Sequence, residues 1–471
     1  MKLQRPILVG GLGLTASLWI LDSWHDSIVH VGEMALLSAL AVGGGLWLIK
    51  KNRLVGNLDD GEGMLVDRAK VEKAIAQIET IINYLAQEAA THPALASLRE
   101  QVANLQLELD RKEINVAVTG GKSTGKSTVV ELYKQVEGVK FWETAPLLTE
   151  LNEKSDTAIV AEMQKSDLVL FLTNGDLTDS ELQVLQQIKN QKQPVVLVLN
   201  KHDQYLPDER ATILHSLQQR VETAIAISAS PAPMKVRKHQ EDGTVQEWME
   251  KPASDVDKLT QQLGASIINQ ETQLVLATTY RQAKVLKAEA KNWLNGVRGD
   301  RSTPIIEQYQ WIAAAAAFAN PIPALDILAT VAINAQMVVD LGKIYQQKLS
   351  LEQAQTVATT MGSLMLKLGL VELSTRMVTG ILKTHVATYL AGGVVEGISA
   401  AYLTRVAGLS LVEYFQQQEI ALDSANGLNL DALRQTLQNV FQQNQQVAFV
   451  QSFVKQGVKR LLPENQPVEA A

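Results

Sequence analysis

Ile114-Asn115-Val116-Ala117-Val118-Thr119-Gly120-Gly121-Lys122-Ser123-Thr124-Gly125-Lys126-Ser127-Thr128 is the stretch whose reading decides the fold. Its first six residues read as a short buried strand, and Val129-Val130-Glu131-Leu132-Tyr133 just beyond it reads as the start of a helix. Strand, glycine-rich turn, helix is the context of a phosphate-binding loop, in which successive backbone N–H groups and the helix N-terminus face an anion. Gly-Lys-Ser-Thr occurs twice, so the register has to be settled. Only Lys126 has a glycine six residues earlier, Gly120, as G-x-x-x-x-G-K-[ST] requires; six before Lys122 lies Val116. Lys126 is therefore the phosphate lysine and Ser127 the expected magnesium ligand. Gly120, Gly121, Lys122, Ser123, Thr124, Gly125, Lys126, Ser127 and Thr128 together are the expected phosphate contacts.

Downstream, residues 139–142 read as a strand and 168–172 as a stronger one, followed by Thr178-Asp179-Ser180-Glu181, a capping box that should open a helix. Residues 194–199 give another buried strand ending in Asn200-Lys201-His202-Asp203, and 224–227 one ending in Ser228-Ala229-Ser230. Alternating strands and helices imply an α/β fold, a doubly wound, mostly parallel sheet with ligand bound beyond the strand C-termini. Both polar segments fall at such ends.

Asn200-Lys201-His202-Asp203, 74 residues beyond Lys126, resembles the guanine-recognition motif of the Era-like and translation-factor-like GTPases. The resemblance implies a P-loop NTPase domain binding GTP or GDP with Mg2+. In it, Asp203 accepts from N1–H and the exocyclic amine of guanine, donors that adenine does not present. Lys201 covers the base and Asn200 ties its loop to the phosphate loop. Ser228 and Ala229 resemble the next motif of that family, whose alanine N–H meets guanine O6. A site built on such pairing rejects the mismatched base, which argues against an ATP-driven enzyme.

The same relatives use a mobile threonine and an Asp-x-x-Gly to hold the γ-phosphate. Only 16 positions separate Ser127 from Glu143, and no Thr or Ser lies between Val129 and Trp142, so the first of these and its strand are missing. Glu143-Thr144-Ala145-Pro146 stands where Asp-Thr-Pro-Gly is expected, and Pro146 has no N–H to offer. Nucleotide binding with slow or partner-dependent hydrolysis is the expectation. A structural membrane protein with a vestigial nucleotide domain is the alternative, and no catalytic residue is assigned.

The 471-residue chain has a net charge of −7 and no cysteine, which argues against a general nucleic-acid binder and excludes disulfides and thiolate metal sites. Residues 6–21 and 28–49 are apolar runs split by Asp22-Ser23-Trp24-His25-Asp26-Ser27, with Lys2 and Arg5 before them and Lys50, Lys51 and Arg53 after. A transmembrane helical hairpin over 1–55, with both termini cytoplasmic, fits those lengths and flanking charges. Residues 56–111 read as a linker and an amphipathic helical hairpin or stalk, 112–272 as the nucleotide domain and 273–303 as a connecting helix. Residues 304–415 contain Pro321-Ile322-Pro323-Ala324-Leu325-Asp326 within an apolar helical region. They resemble the all-α domain of unknown function found after bacterial GTPase domains and in YcjF-like inner-membrane proteins. Residues 416–471 complete the chain as an amphipathic helix, centred on 430–462, and a tail. The expected partners are guanine nucleotide and lipid bilayer, with no nucleic acid, and the helical regions leave room for a homo-oligomer.

Overall fold

The computed structural model describes residues 66–148, 153–221, 223–239, 245–268, 270–319, 323–383, 393–418 and 429–461. The membrane hairpin expected over 1–55, Pro321 and Ile322 of the proline-containing segment, and the tail beyond 461 lie outside them.

The glycine-rich stretch joins β1 (Ile114–Gly120) to α3 (Lys126–Tyr133). β2 (Val139–Glu143), β3 (Leu168–Thr173), β4 (Val195–Leu199) and β5 (Ala224–Ala226) complete a five-stranded sheet in the order β2-β1-β3-β4-β5. Every pairing is parallel. β1, β3 and β4 are apolar nearly throughout because both faces are covered, as a parallel sheet requires. On one face Val116, Val118, Leu170 and Val198 meet Val129 and Tyr133 of α3 and Leu259 and Leu263 of α7 (Asp257–Ile268). On the other, Ala117, Phe171 and Leu197 meet α4 (Glu153–Met163), α5 (Asp179–Asn190) and α6 (Pro207–Arg220). Thr178 caps α5 in the expected box with Glu181. Successive strands are added on opposite sides of β1, so a crevice opens beyond the strand C-termini between β1 and β3, where the glycine loop lies.

Between β5 and α7 the chain forms a two-stranded antiparallel hairpin, β6 (Met234–His239) and β7 (Val245–Glu250). Met234, Trp248 and Met249 are exposed on it.

Before the sheet, α1 (Arg68–Glu88) and α2 (Ala94–Glu108) form the expected hairpin. Their apolar faces close on α8 (Glu271–Ala319): Ile78, Leu85 and Leu98 share a core with Leu286, Ala290 and Leu294. Arg298, whose side chain is 3% exposed, binds Glu88 at 2.8 Å, and Arg301 reaches the same carboxylate at 2.9 Å. Breaking such a buried pair from one side costs about 3–5 kcal/mol, so the hairpin is held to α8 by charge as well as by apolar area.

The connecting helix expected to end at 303 does not end there. α8 is one helix of 49 residues running through Pro304. Pro304 is exposed and removes one i→i−4 bond, while Ile306, Ala313, Ala314 and Ala317 beyond it are buried and keep the helix going. Packing there outweighs the local break. Around its second half stand α9 (Pro323–Ile344), α10 (Leu351–Lys367), α11 (Leu370–Leu382), α12 (Val394–Gln417), α13 (Leu430–Asn444) and α14 (Val447–Leu461). They form an all-α region with Tyr402, Phe441 and Phe453 in its core. The single helix expected over 430–462 is two, α13 ending at Asn444 and α14 starting at Val447. Among the described residues no single helix is long and apolar enough to cross a membrane; α10 and α11 pass together by length and composition, bent by 69°.

Candidate functional site

Two glycines shape the loop. Gly120 sits at φ +141°, and a Cβ there would lie 2.2 Å from the Leu172 carbonyl oxygen of β3. Gly125 sits at φ +93°, and a Cβ there would lie 2.2 Å from Asn200 Nδ2. A side chain at either position would be strained and would collide, at Gly120 with the sheet backbone and at Gly125 with the Asn200 side chain. Thr124 is buried and its hydroxyl donates to Gly121 O at 3.0 Å, tightening the turn.

Lys126 is buried at the first turn of α3 and donates to the carbonyls of Gly121 at 2.9 Å and Gly120 at 3.3 Å. Burial lowers its pKa from the ordinary lysine value, against a smaller raising effect of Glu143. A phosphate dianion is the partner such a desolvated ammonium suits. Gly121, Lys122, Ser123, Ser127 and Thr128 are exposed or half-buried around the loop. Among the described residues no group of three or more His, Asp or Glu could hold a metal ion. A magnesium ion at Ser127 would therefore arrive with phosphate oxygens rather than be held by a protein cage.

The base side is built from three loops tied by one side chain. Asn200, 2% exposed at the end of β4, donates from Nδ2 to Thr124 O at 2.9 Å and accepts at Oδ1 from Ala229 N–H at 3.1 Å. The Ala229 N–H that the family resemblance assigns to guanine O6 is thus already engaged. Lys201, at φ +58°, crosses to the phosphate loop and donates to Ser123 O at 2.8 Å. Asp203 accepts at Oδ1 from the Ser228 hydroxyl and at Oδ2 from Ala232 N–H at 3.0 Å. Burial would raise its pKa, but these hydrogen bonds outweigh it and hold the carboxyl below its usual range. Every residue expected on the base side is within reach of this network.

The opposite side, beyond β2, is built differently. α3 has eight residues and β2 follows within one turn, pairing parallel to β1 with Val118 opposite Glu143. That leaves no length for an intervening strand. Thr144 N–H donates to Val118 O at 3.0 Å, its hydroxyl to Thr119 Oγ1 at 2.8 Å, and Leu147 N–H to Gly120 O at 3.1 Å. Thr144 and Leu147 are thereby pinned to β1 and the loop, and Glu143 is exposed beside them.

Sequence reasoning missed Ala232 and Asp255. The first offers only a backbone N–H, and the second lies 53 residues from its partner His202, with no motif joining them.

Residues 281–446 match the family model described as a domain of unknown function, DUF697. No curated protein matches the chain. Similar solved structures include a LAO/AO transport system kinase, at 13% identity and TM-score 0.23, covering 63% of this chain and 98% of that one. An oligomerised bacterial dynamin pair aligns at 12% identity and TM-score 0.25, covering 86% of this chain and 81% of that one. LeoA, a bacterial dynamin GTPase from ETEC, aligns at 11% and 0.24, covering 83% and 94%.

Proposed function

We propose that residues 112–272 bind GTP or GDP with Mg2+, and that the chain hydrolyses GTP slowly or only with a partner. The observation that carries this reading is Asn200, which hydrogen-bonds the phosphate loop and the Ser228-Ala229 loop at once. It brings a phosphate cradle and the Asp203 carboxylate into one cleft. Guanine offers two adjacent donors to that carboxylate, and its O6 would share the Ala229 N–H with Asn200. Lys126 and the loop N–H groups supply the phosphate contacts, and the hydroxyl of Ser127 supplies an oxygen ligand for magnesium.

Phosphoryl transfer depends on positioning and charge stabilisation around the γ-phosphate. Among the described residues, Pro146 stands where a backbone N–H would be needed, and Thr144 and Leu147 on either side are already bonded to β1 and the loop. Retention of nucleotide with little turnover follows from that arrangement.

The helices give the nucleotide domain a way to act elsewhere. α8 starts against the sheet at Leu274 and Val275, forms a core with α1 and α2, and ends inside the all-α region at Ile306 and Ala314. Membrane anchorage through residues 1–55, with both termini cytoplasmic, and assembly through the helical regions belong to the same proposal, supported by the two apolar runs and their basic flanks.

Titration of purified full-length protein with GDP, GTP and ADP, together with a single-turnover GTP time course, tests the reading. Saturable guanine-nucleotide binding, abolished in Asp203→Ala, with ADP binding far more weakly, is the expected result. No measurable binding would leave a structural membrane protein, and ordinary GTPase turnover without a partner would remove the claim of slow hydrolysis.

A further inference from the structure

After Ala229 the chain leaves the nucleotide cleft, runs through the β6–β7 hairpin and returns to α7. Both roots of that excursion are fastened to the base-recognition loops. On the outgoing side Ala232 N–H donates to Asp203 Oδ2. On the returning side Asp255 exchanges two backbone hydrogen bonds with Ser228, each 2.9 Å, and its Oδ2 lies 3.1 Å from His202 Nε2.

His202 occupies the variable position of Asn-Lys-x-Asp, directly before Asp203, and is 8% exposed. Its Nδ1 is buried without a hydrogen-bond partner. That fixes the tautomer on physical grounds. A proton on Nδ1 would be a buried, unsatisfied donor and would turn the Nε2 lone pair toward a carboxylate, so Nε2–H donates to Asp255.

The turn that carries Asp203 needs such support. Lys201 lies at φ +58°, a conformation costly for a residue with a side chain, and His202–Gln204 is a single 3₁₀ turn. His202 N–H reaches Ile227 O at 3.2 Å. A strained turn keeps its shape only as far as its surroundings impose it. The His202 ring, buried and tied to Asp255, is one of the groups that impose it, beside the bonds of Lys201 and Asp203 already described.

We propose that the His202–Asp255 pair positions the Asp203 carboxylate and so sets base selectivity from the root of the hairpin. This rests on the guanine reading of the cleft. Asp255 is a positioning residue, acting through His202 and Ser228.

Competition titrations of the full-length protein with GDP, IDP and inorganic pyrophosphate read the two halves of the site separately. IDP lacks the exocyclic amine, so the GDP-to-IDP affinity ratio reports the second hydrogen bond to Asp203, and pyrophosphate reports the phosphate loop alone. Asp255→Ala is expected to lower that ratio about threefold, the size of effect a partly exposed polar pair exerts, with pyrophosphate affinity unchanged. Asp255→Asn, which still accepts from Nε2–H, is expected to keep the wild-type ratio. An unchanged ratio in Asp255→Ala, or a parallel fall in pyrophosphate affinity, overturns the positioning role. A wild-type chain with no preference for GDP over IDP overturns the guanine reading, and this inference with it.

Discussion

The two sides of the proposed nucleotide cleft are made of the same sheet yet are finished in opposite ways. Around the base, the ends of β4 and β5 and the phosphate loop are cross-linked by Asn200, Lys201 and the Ser228–Asp203 bond. Beyond β2, the hydrogen bonds of Thr144 and Leu147 are spent inward, on Val118, Thr119 and Gly120. The first set of bonds joins three loops to one another, and the second holds a single segment to the sheet and the glycine loop. On the proposed function, that asymmetry suits the cleft to retaining a nucleotide more than to sensing its third phosphate.

The contrast can be broken most directly at Lys126. Lys126→Ala should weaken GDP binding about 100-fold or more by calorimetry, since each hydrogen bond to a charged group is worth ~1.5–3 kcal/mol and the lysine serves more than one oxygen. Next comes Gly125→Ala, whose methyl would collide with Asn200 Nδ2 from a left-handed backbone. It should cost ~1–3 kcal/mol of stability and loosen nucleotide binding with it. Gly138→Ala is its control: φ is +75° but nothing lies within 4 Å, so strain alone should lower the melting temperature and leave GDP affinity unchanged.

A smaller effect sharpens the other side. GTP and GDP should bind the wild type within about threefold, because no described residue beyond β2 offers the γ-phosphate a free charge-assisted bond of ~1.5–3 kcal/mol. A GTP preference above roughly tenfold would erase the asymmetry.

The smallest expected effect is in pH. The Asp203 carboxyl is held below the ordinary 3.8, so the stabilisation it provides is fully present above that value and is lost only as pH falls through the lowered pKa. GDP selectivity over ADP should therefore be flat between pH 5 and 7, a range of about two units in which a carboxylate of raised pKa would show a decline.

Much of this was legible in the sequence. The spacing from Gly120 to Lys126, the capping box at Thr178 and the apolar runs of β1, β3 and β4 are local signals, each decided within about a dozen residues. The short interval between Ser127 and Glu143 already denied room for another strand. Where the reading failed, a non-local term outweighed a local one. The connecting helix expected to end at 303 runs on, because the buried face beyond Pro304 carries α8 onward.

By itself the sequence determined that a phosphate loop, a guanine-type motif and an all-α region follow one another along the chain, because hydrophobic period and turn chemistry act over short distances. Tertiary structure alone decided which groups are free to act. The engagement of Ala229 N–H by Asn200, the reach of Lys201 to Ser123 and the hold of Asp255 on His202 each join residues 29 to 78 positions apart. Contacts at such separations exist only once the sheet has brought the strand ends together.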